Sequence, residues 1–240
     1  MTDRVKGHRT TDSGDARRDR WKSHRAARRE EFVEAALRAL AAHGPDLAME
    51  HVAHEAGVTK PVLYRHFTDK ADLVVALGHR GTEILFERLI PAMNSEEAPV
   101  PRIRKSLDAF FSMIEEYPNL YRLLVRTTFA EKGIDADIVA EDKEVIANAL
   151  AHLLGDYLRA FEIDPGGAEV WGHGIVGMVQ NVGEWWLERR TMSRDQVVEY
   201  LTQTIWAAID GTLRSWGVTI APDQPLELNK IVKLSLGDAG

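Results

Sequence analysis

The chain has 240 residues, 45% of them hydrophobic and 28% charged, the balance of a globular protein with a sizeable core. It has no cysteine, which excludes disulfides and thiolate metal sites and fits a reducing compartment. The net charge of −7 hides an asymmetry: residues 1–29 hold ten Lys and Arg against four Asp, a balance of +6, so the rest carries −13. A basic arm on an acidic body is suited to a polyanion.

The opening "MTDRVKGHRTTDSGDARRDRWKSHRAARRE" has no apolar run, so no signal peptide is expected. No stretch holds eighteen apolar residues, so a cytoplasmic protein with no membrane partner is expected. Residues 1–24 are expected to be a basic, flexible arm. From Arg25 to Ala42 the residues Phe32, Ala36, Leu37 and Leu40 make one helical stripe, which "HGPD" ends with Gly44 and Pro45. A short helix over about 49–56 is closed by Gly57, and the next runs from near Thr59 to Phe67. Thr68 or Asp69 can cap a fourth helix from about Lys70, which Pro91 is expected to end. "NSEEAPVP" at 94–101 reads as a polar connection. Further helices are expected near 102–116, 118–129, 137–161, 165–190 and 193–217, followed by a loose tail from Val218 containing Pro222 and Pro225. The fold class is all-α. Residues 25–77 form a three-helix N-terminal domain, 78–217 a helical C-terminal domain, and 218–240 the tail.

Two short helices around a tight glycine turn form a helix-turn-helix. Gly57 can take the positive φ of the turn, and Ala53, Val58 and Leu63 supply its small or apolar contacts. Thr59 can cap the second helix with its hydroxyl, and Pro61 lies in the first turn, where a missing N–H costs nothing. In such a motif the start of the second helix enters the major groove of DNA. Thr59, Lys60, Val62, Tyr64, Arg65 and His66 are then candidate contacts. Lys60 and Arg65 can donate to phosphates or guanine edges, and Val62 can meet a thymine methyl. Tyr64 and Thr59 can bond phosphate oxygens. Lys70 adds charge and helix N-terminal amides, and Arg28 on the preceding helix adds another cation.

"VAHEAGVTKPVLYRHFTDKADLVVAL" resembles the helix-turn-helix signature of the TetR family of bacterial transcriptional repressors. Val52, Ala53, Ala56, Gly57, Val58, Thr59, Leu63, Tyr64, His66, Phe67, Lys70 and Leu73 fall in that pattern, and Ala35, Ala36 and Gly44 match upstream. The resemblance is specific over residues 28–77. One departure is Ala48, where the family usually has a Thr or Ser cap; losing a cap costs about 1 kcal/mol, and Asp46 is the substitute expected.

The resemblance implies a DNA-binding repressor that acts as a homodimer on a near-palindromic double-stranded operator. It implies that residues from about 102 to 217 bind a small ligand and hold the dimer. Candidate ligand contacts are Phe110, Phe111, Ile114, Tyr121, Leu124, Leu150, Leu154, Trp171 and Val176, with His173, Gln180, Asn181 and Glu184 as polar groups. "FFSMIEEYPNLYRLL" resembles members that sense fatty acids or acyl-CoA thioesters, so an apolar, acyl-type effector is expected. The last two long helices, with Gly172, Gly174, Gly177 and Gly183, are expected to meet their mates across the dimer axis.

Other patterns carry less. "GHGIVG" has the spacing of a dinucleotide loop, but no strand precedes it. His51 and His54 share a helix face and read as surface histidines rather than metal ligands. No Ser/His/Asp set or carboxylate pair has a recognisable context. No enzymatic activity, cofactor or metal is expected.

Overall fold

The computed structural model describes the backbone of residues 12–130 and 136–225, and the side chains of 23–125 and 143–225. These residues contain α-helices and one 3₁₀ turn, with no strand among them. They divide into two compact units, the first ending at Leu77 and the second beginning at Gly78.

The first unit holds α1 (Asp12–His43), α2 (Met49–Glu55), α3 (Lys60–Leu63) and the start of α4 (Lys70–Met93). Its core joins Phe32, Ala36 and Leu40 of α1 to Val52 of α2, Leu63 of α3, and Leu73 and Leu77 of α4, all nearly sealed from solvent. Gly44 ends α1 at φ +83° and Gly57 makes the α2–α3 turn at φ +64°, angles that other residues adopt only with strain.

Several boundaries differ from the sequence reading. α1 starts at Asp12, well before Arg25. The stretch from Asp12 to His24 has no proline and carries the helix formers Arg17, Arg18, Arg20 and Lys22, and Asp12 and Asp15 fall at the positive end of the helix. The expected arm is therefore helical from Asp12, and residues 1–11 lie outside the described residues. α3 is shorter than 59–67, because the amides of Arg65 and His66 reach back only three residues, to Val62 and Leu63. Pro91 does not end α4. It stands in the last turn, where the helix closes through the Asn94 amide on the Ile90 carbonyl (3.0 Å).

The second unit continues with α5 (Pro99–Glu116), α6 (Pro118–Ala130), α7 (Ala136–Ala160), a 3₁₀ turn (Pro165–Gly167), α8 (Ala168–Arg189) and α9 (Arg194–Ser215). α5 starts inside the expected connection because Pro99 and Pro101 occupy a first turn that needs no N–H from them. Phe111, Ile114 and Trp186 are fully buried at its centre, the rings of Phe111 and Trp186 meeting edge-on at 5.5 Å. The start of the tail is packed rather than loose. Ile220 is buried beside Leu158 and Leu213, and the Pro222 carbonyl accepts from the Val100 amide (3.1 Å). Residues 226–240 lie outside the described residues.

The four glycines of α8 do two different things. A methyl group on Gly172 would sit 2.6 Å from the Ala147 carbonyl oxygen of α7, and one on Gly183 would meet Phe110. These two serve packing within the chain, not across an axis. Gly174 and Gly177 have nothing within 4 Å. The "GHGIVG" run lies wholly inside α8.

Candidate functional site

Two features of the molecule stand out, one in each unit. In the first, Thr59, Lys60, Tyr64, Arg65 and Lys70 are exposed along and just after α3, while Leu63 and Phe67 between them are buried. The buried pair fixes the short helix, so its outer side chains are displayed on a fixed frame. Tyr64 is 50% exposed, unusual for so large an apolar ring. Val62 is half-buried.

The structure qualifies four of the expected contacts. Thr59 sits at the cap of α3 in extended conformation, but its hydroxyl makes no capping bond. Lys60 is ion-paired with Glu50 of α2, and each holds the other in its charged form, the lysine raised and the carboxylate lowered. At the start of α4, the Asp69 carboxylate accepts from the Asp72 amide (2.9 Å), and the Asp72 carboxylate accepts from the Thr68 amide (2.9 Å). Acidic caps already serve that helix end, so Lys70 offers charge more than amides. His66 is half-buried, its ring edge-on to Phe32 at 5.1 Å. Burial, then Arg25, Arg28, Arg29 and Arg65, push its imidazole below the ordinary value and keep it neutral.

Arg29 is the residue that sequence reasoning missed. Its guanidinium bonds the Asp72 carboxylate (2.5 Å) and the His66 carbonyl, and lies over the Phe67 ring at 4.2 Å. One side chain of α1 thus pins the end of the α3 segment and the start of α4. Arg25 adds a bond to the Arg65 carbonyl (3.2 Å), and Arg28 lies over Phe32 while pairing with Glu31. At the cap of α2, Ala48 offers no side-chain bond; the His51 ring accepts from the Ala48 amide instead (3.4 Å) and stacks on His43.

The Arg29 bond holds the Asp72 carboxyl below its ordinary value. A carboxylate so depressed adds stability that is full above its unfolded value and is lost as pH falls through the carboxylate range. Asp72→Asn keeps the acceptor for the Thr68 amide but removes the charge. It is expected to lose roughly 1–2 kcal/mol at neutral pH, with the gap to wild type closing in acid. Denaturant melts across pH check this; a gap that does not change with pH would show that the pair is not ionic in effect.

The second unit holds a cavity of about 210 Å³ lined from α4, α5, α7, α8, α9 and Ile220. Of the expected ligand contacts, Phe110, Leu150, Leu154, Trp171, Val176 and Gln180 line it. Seven expected residues do not. Phe111 and Ile114 are packed solid in the core. Tyr121 lies edge-on to Phe110 at 6.1 Å, and burial, with Glu184 adding to it, raises its phenol well above the usual range. Leu124 packs near Gly81 of α4. His173 and Asn181 are exposed on α8, His173 lying 4.0 Å from Glu144, and the half-buried Glu184 stays off the wall. The sequence did not reveal the α4 and α9 walls, Leu89, Met93, Trp206 and Ile209, or Arg102, which pairs with Tyr157 on the wall. The Arg102 guanidinium donates to the Tyr157 hydroxyl (2.8 Å) and lies over its ring at 5.2 Å.

Outside the cavity, α8 and α9 leave large apolar side chains in solvent: Val170 (71% exposed), Trp185 (41%) and Tyr200 (57%). Gly174 and Gly177 share the α8 face with Val170 and Trp185 at helical spacing. Among the described residues, no helix is long and apolar enough to cross a membrane.

Known proteins share this arrangement. Residues 32–77 match the family described as bacterial regulatory proteins, tetR family, and residues 88–217 match the tetracyclin repressor-like C-terminal domain. An HTH-type transcriptional regulator of Mycobacterium tuberculosis is 33% identical over 204 residues, 85% of this chain and 86% of that one. The HTH-type transcriptional activator FasR of Mycolicibacterium smegmatis is 28% identical over 162 residues, 67% of this chain and 73% of that one. Among solved structures, AibR in complex with isovaleryl coenzyme A and operator DNA superposes with a TM-score of 0.56 at 19% identity, over 74% of this chain and 97% of that one.

Proposed function

The chain belongs to the TetR family of bacterial transcriptional regulators, and from that membership we propose that it binds a near-palindromic operator as a homodimer and that a small apolar ligand releases it. The α3 surface is the DNA reader, with Thr59, Lys60, Val62, Tyr64 and Arg65 toward the groove and Lys70 and Arg28 toward phosphates. His66 supports the reader from behind. The observation that carries this reading is the exposed polar and aromatic strip on a frame pinned by Leu63, Phe67 and Arg29.

The ligand reading rests on the second unit. A concave, largely apolar cavity with few polar groups is the form that small-molecule sites take. The AibR complex holds an acyl-CoA on the same fold, which favours an acyl-type effector here. The dimer places two copies of α3 about one DNA turn apart, and the exposed α8–α9 face is its seam. α4 supplies Leu73 and Leu77 to the first core and Leu89 and Met93 to the cavity wall. A ligand that favours one setting of α4 shifts the population toward dimers with the wrong half-site spacing.

Selection of bound duplexes from a random DNA pool tests the proposal. A recovered palindrome with half-sites about one turn apart is expected. Recovery of salt-sensitive, sequence-blind binding alone would point to the basic N-terminal residues and count against α3 as reader. A second reading, activation, draws on the likeness to the activator FasR. A reporter placed behind the selected operator decides the sign: repression raises its output when the regulator is deleted, and activation lowers it.

A further inference from the structure

We infer that the cavity of the second unit takes a single-chain amphiphile with a carboxylate head, and that Arg102 is the residue that binds that head. The inference rests on the reading of this cavity as the effector site and names the effector's chemistry.

Among the described residues, Arg102 is the one formally charged residue on the cavity wall. It stands in the first turn of α5, the positive end of that helix, where a guanidinium is disfavoured. Its neighbours Arg104 and Lys105 are ion-paired with Glu199 and Glu97. Among the described residues, no carboxylate pairs with Arg102. A half-buried cation in an apolar wall without a counter-ion carries a desolvation cost that a bound anion would offset.

The guanidinium is also oriented. Its Nη1 donates to the Tyr157 hydroxyl (2.8 Å) and more weakly to the Ser95 carbonyl (3.5 Å), and the Tyr157 ring supports its plane. The Nε and Nη2 edge bonds to none of the described residues. That edge is the one a carboxylate meets with two parallel hydrogen bonds. Ser106 and Phe110 follow Arg102 along α5 on the cavity wall. From Arg102 to Phe110 the helix rises roughly 12 Å. An acyl chain anchored at Arg102 would run down that wall toward Phe110. A thioester lacks the carboxylate, so the inference favours the free acid over its CoA ester.

The test is calorimetric titration of the full-length protein with octanoate, dodecanoate and hexadecanoate, with the matching alcohols, methyl esters and CoA esters. The acid of the best chain length is expected to bind roughly ten- to a hundredfold tighter than its alcohol. R102Q is expected to abolish that preference, so that acid and alcohol bind alike; Y157F, which frees the guanidinium to turn, is expected to reduce it in part. Alcohols and esters that bind wild type as well as the acids, or an acid preference that survives R102Q, would overturn the role of Arg102 while leaving the cavity as a ligand site. CoA esters that bind through Arg102 where acids do not would overturn the carboxylate head. If no acid, alcohol or ester binds, the apolar-effector reading falls and this one with it. Should R102Q fail to fold, R102K keeps the charge without the fork, and an unaltered acid preference in it would overturn the bidentate anchor.

Discussion

Tyr64→Ala and Lys70→Ala are each expected to weaken operator binding about ten- to a hundredfold while leaving the protein folded. Tyr64 is half exposed and Lys70 is in solvent, so neither truncation opens the core. The two variants should differ in kind. Lys70 is assigned to a phosphate, so its loss should weaken binding to all sequences alike and lower the salt slope by about one. Tyr64 stands on the proposed reader itself, and its loss should leave the salt slope nearly unchanged. Anisotropy titrations on the selected operator at several salt concentrations separate them. Leu63→Ala is the contrast: fully buried, it should cost the fold roughly 2–5 kcal/mol. Wild-type affinity in both the Tyr64 and Lys70 variants would remove α3 as the DNA reader.

Gly174→Arg should convert the proposed dimer to a monomer without destabilising the subunit. Nothing lies within 4 Å of the added Cβ, and replacing glycine inside a helix gains up to about 1 kcal/mol. On the proposed seam, the substitution sets two arginines face to face near a two-fold axis, where like charges cost several kcal/mol. Light scattering should report the subunit mass, and operator affinity should fall at least about a hundredfold, because one half-site is engaged at a time. A variant that keeps the dimer mass would place the seam elsewhere. Gly172→Ala is the internal control, expected to weaken the fold because its methyl meets a main-chain oxygen of α7.

The first unit was legible because its signals are local. Gly57 at positive φ, Pro61 in a first turn and Asp69 as a cap each act within four residues of themselves, so spacing alone identifies them. The bond between Arg29 and Asp72 joins positions far apart in the chain, and nothing in either neighbourhood announces it. The cavity shows the same limit more sharply. Phe110 and Phe111 are adjacent and chemically identical, yet one faces the cavity and the other packs against Trp186 of α8. Helical periodicity says that a stripe is apolar. It does not say whether the facing helix fills the space or leaves it open, since that depends on side chains from five helices at once. The start of α1 is hidden for another reason: a run of charge reads as solvated chain, although Arg and Lys are good helix formers.

Trp171 and Trp206 stand in the cavity wall, and Trp171 lies 5.7 Å from Trp216. Indole emission responds to the polarity and the quenchers around the ring. The molecule therefore carries its own optical reporter of occupancy, and a chemical library can be screened against the unlabelled protein by its ultraviolet emission alone, before any operator is known.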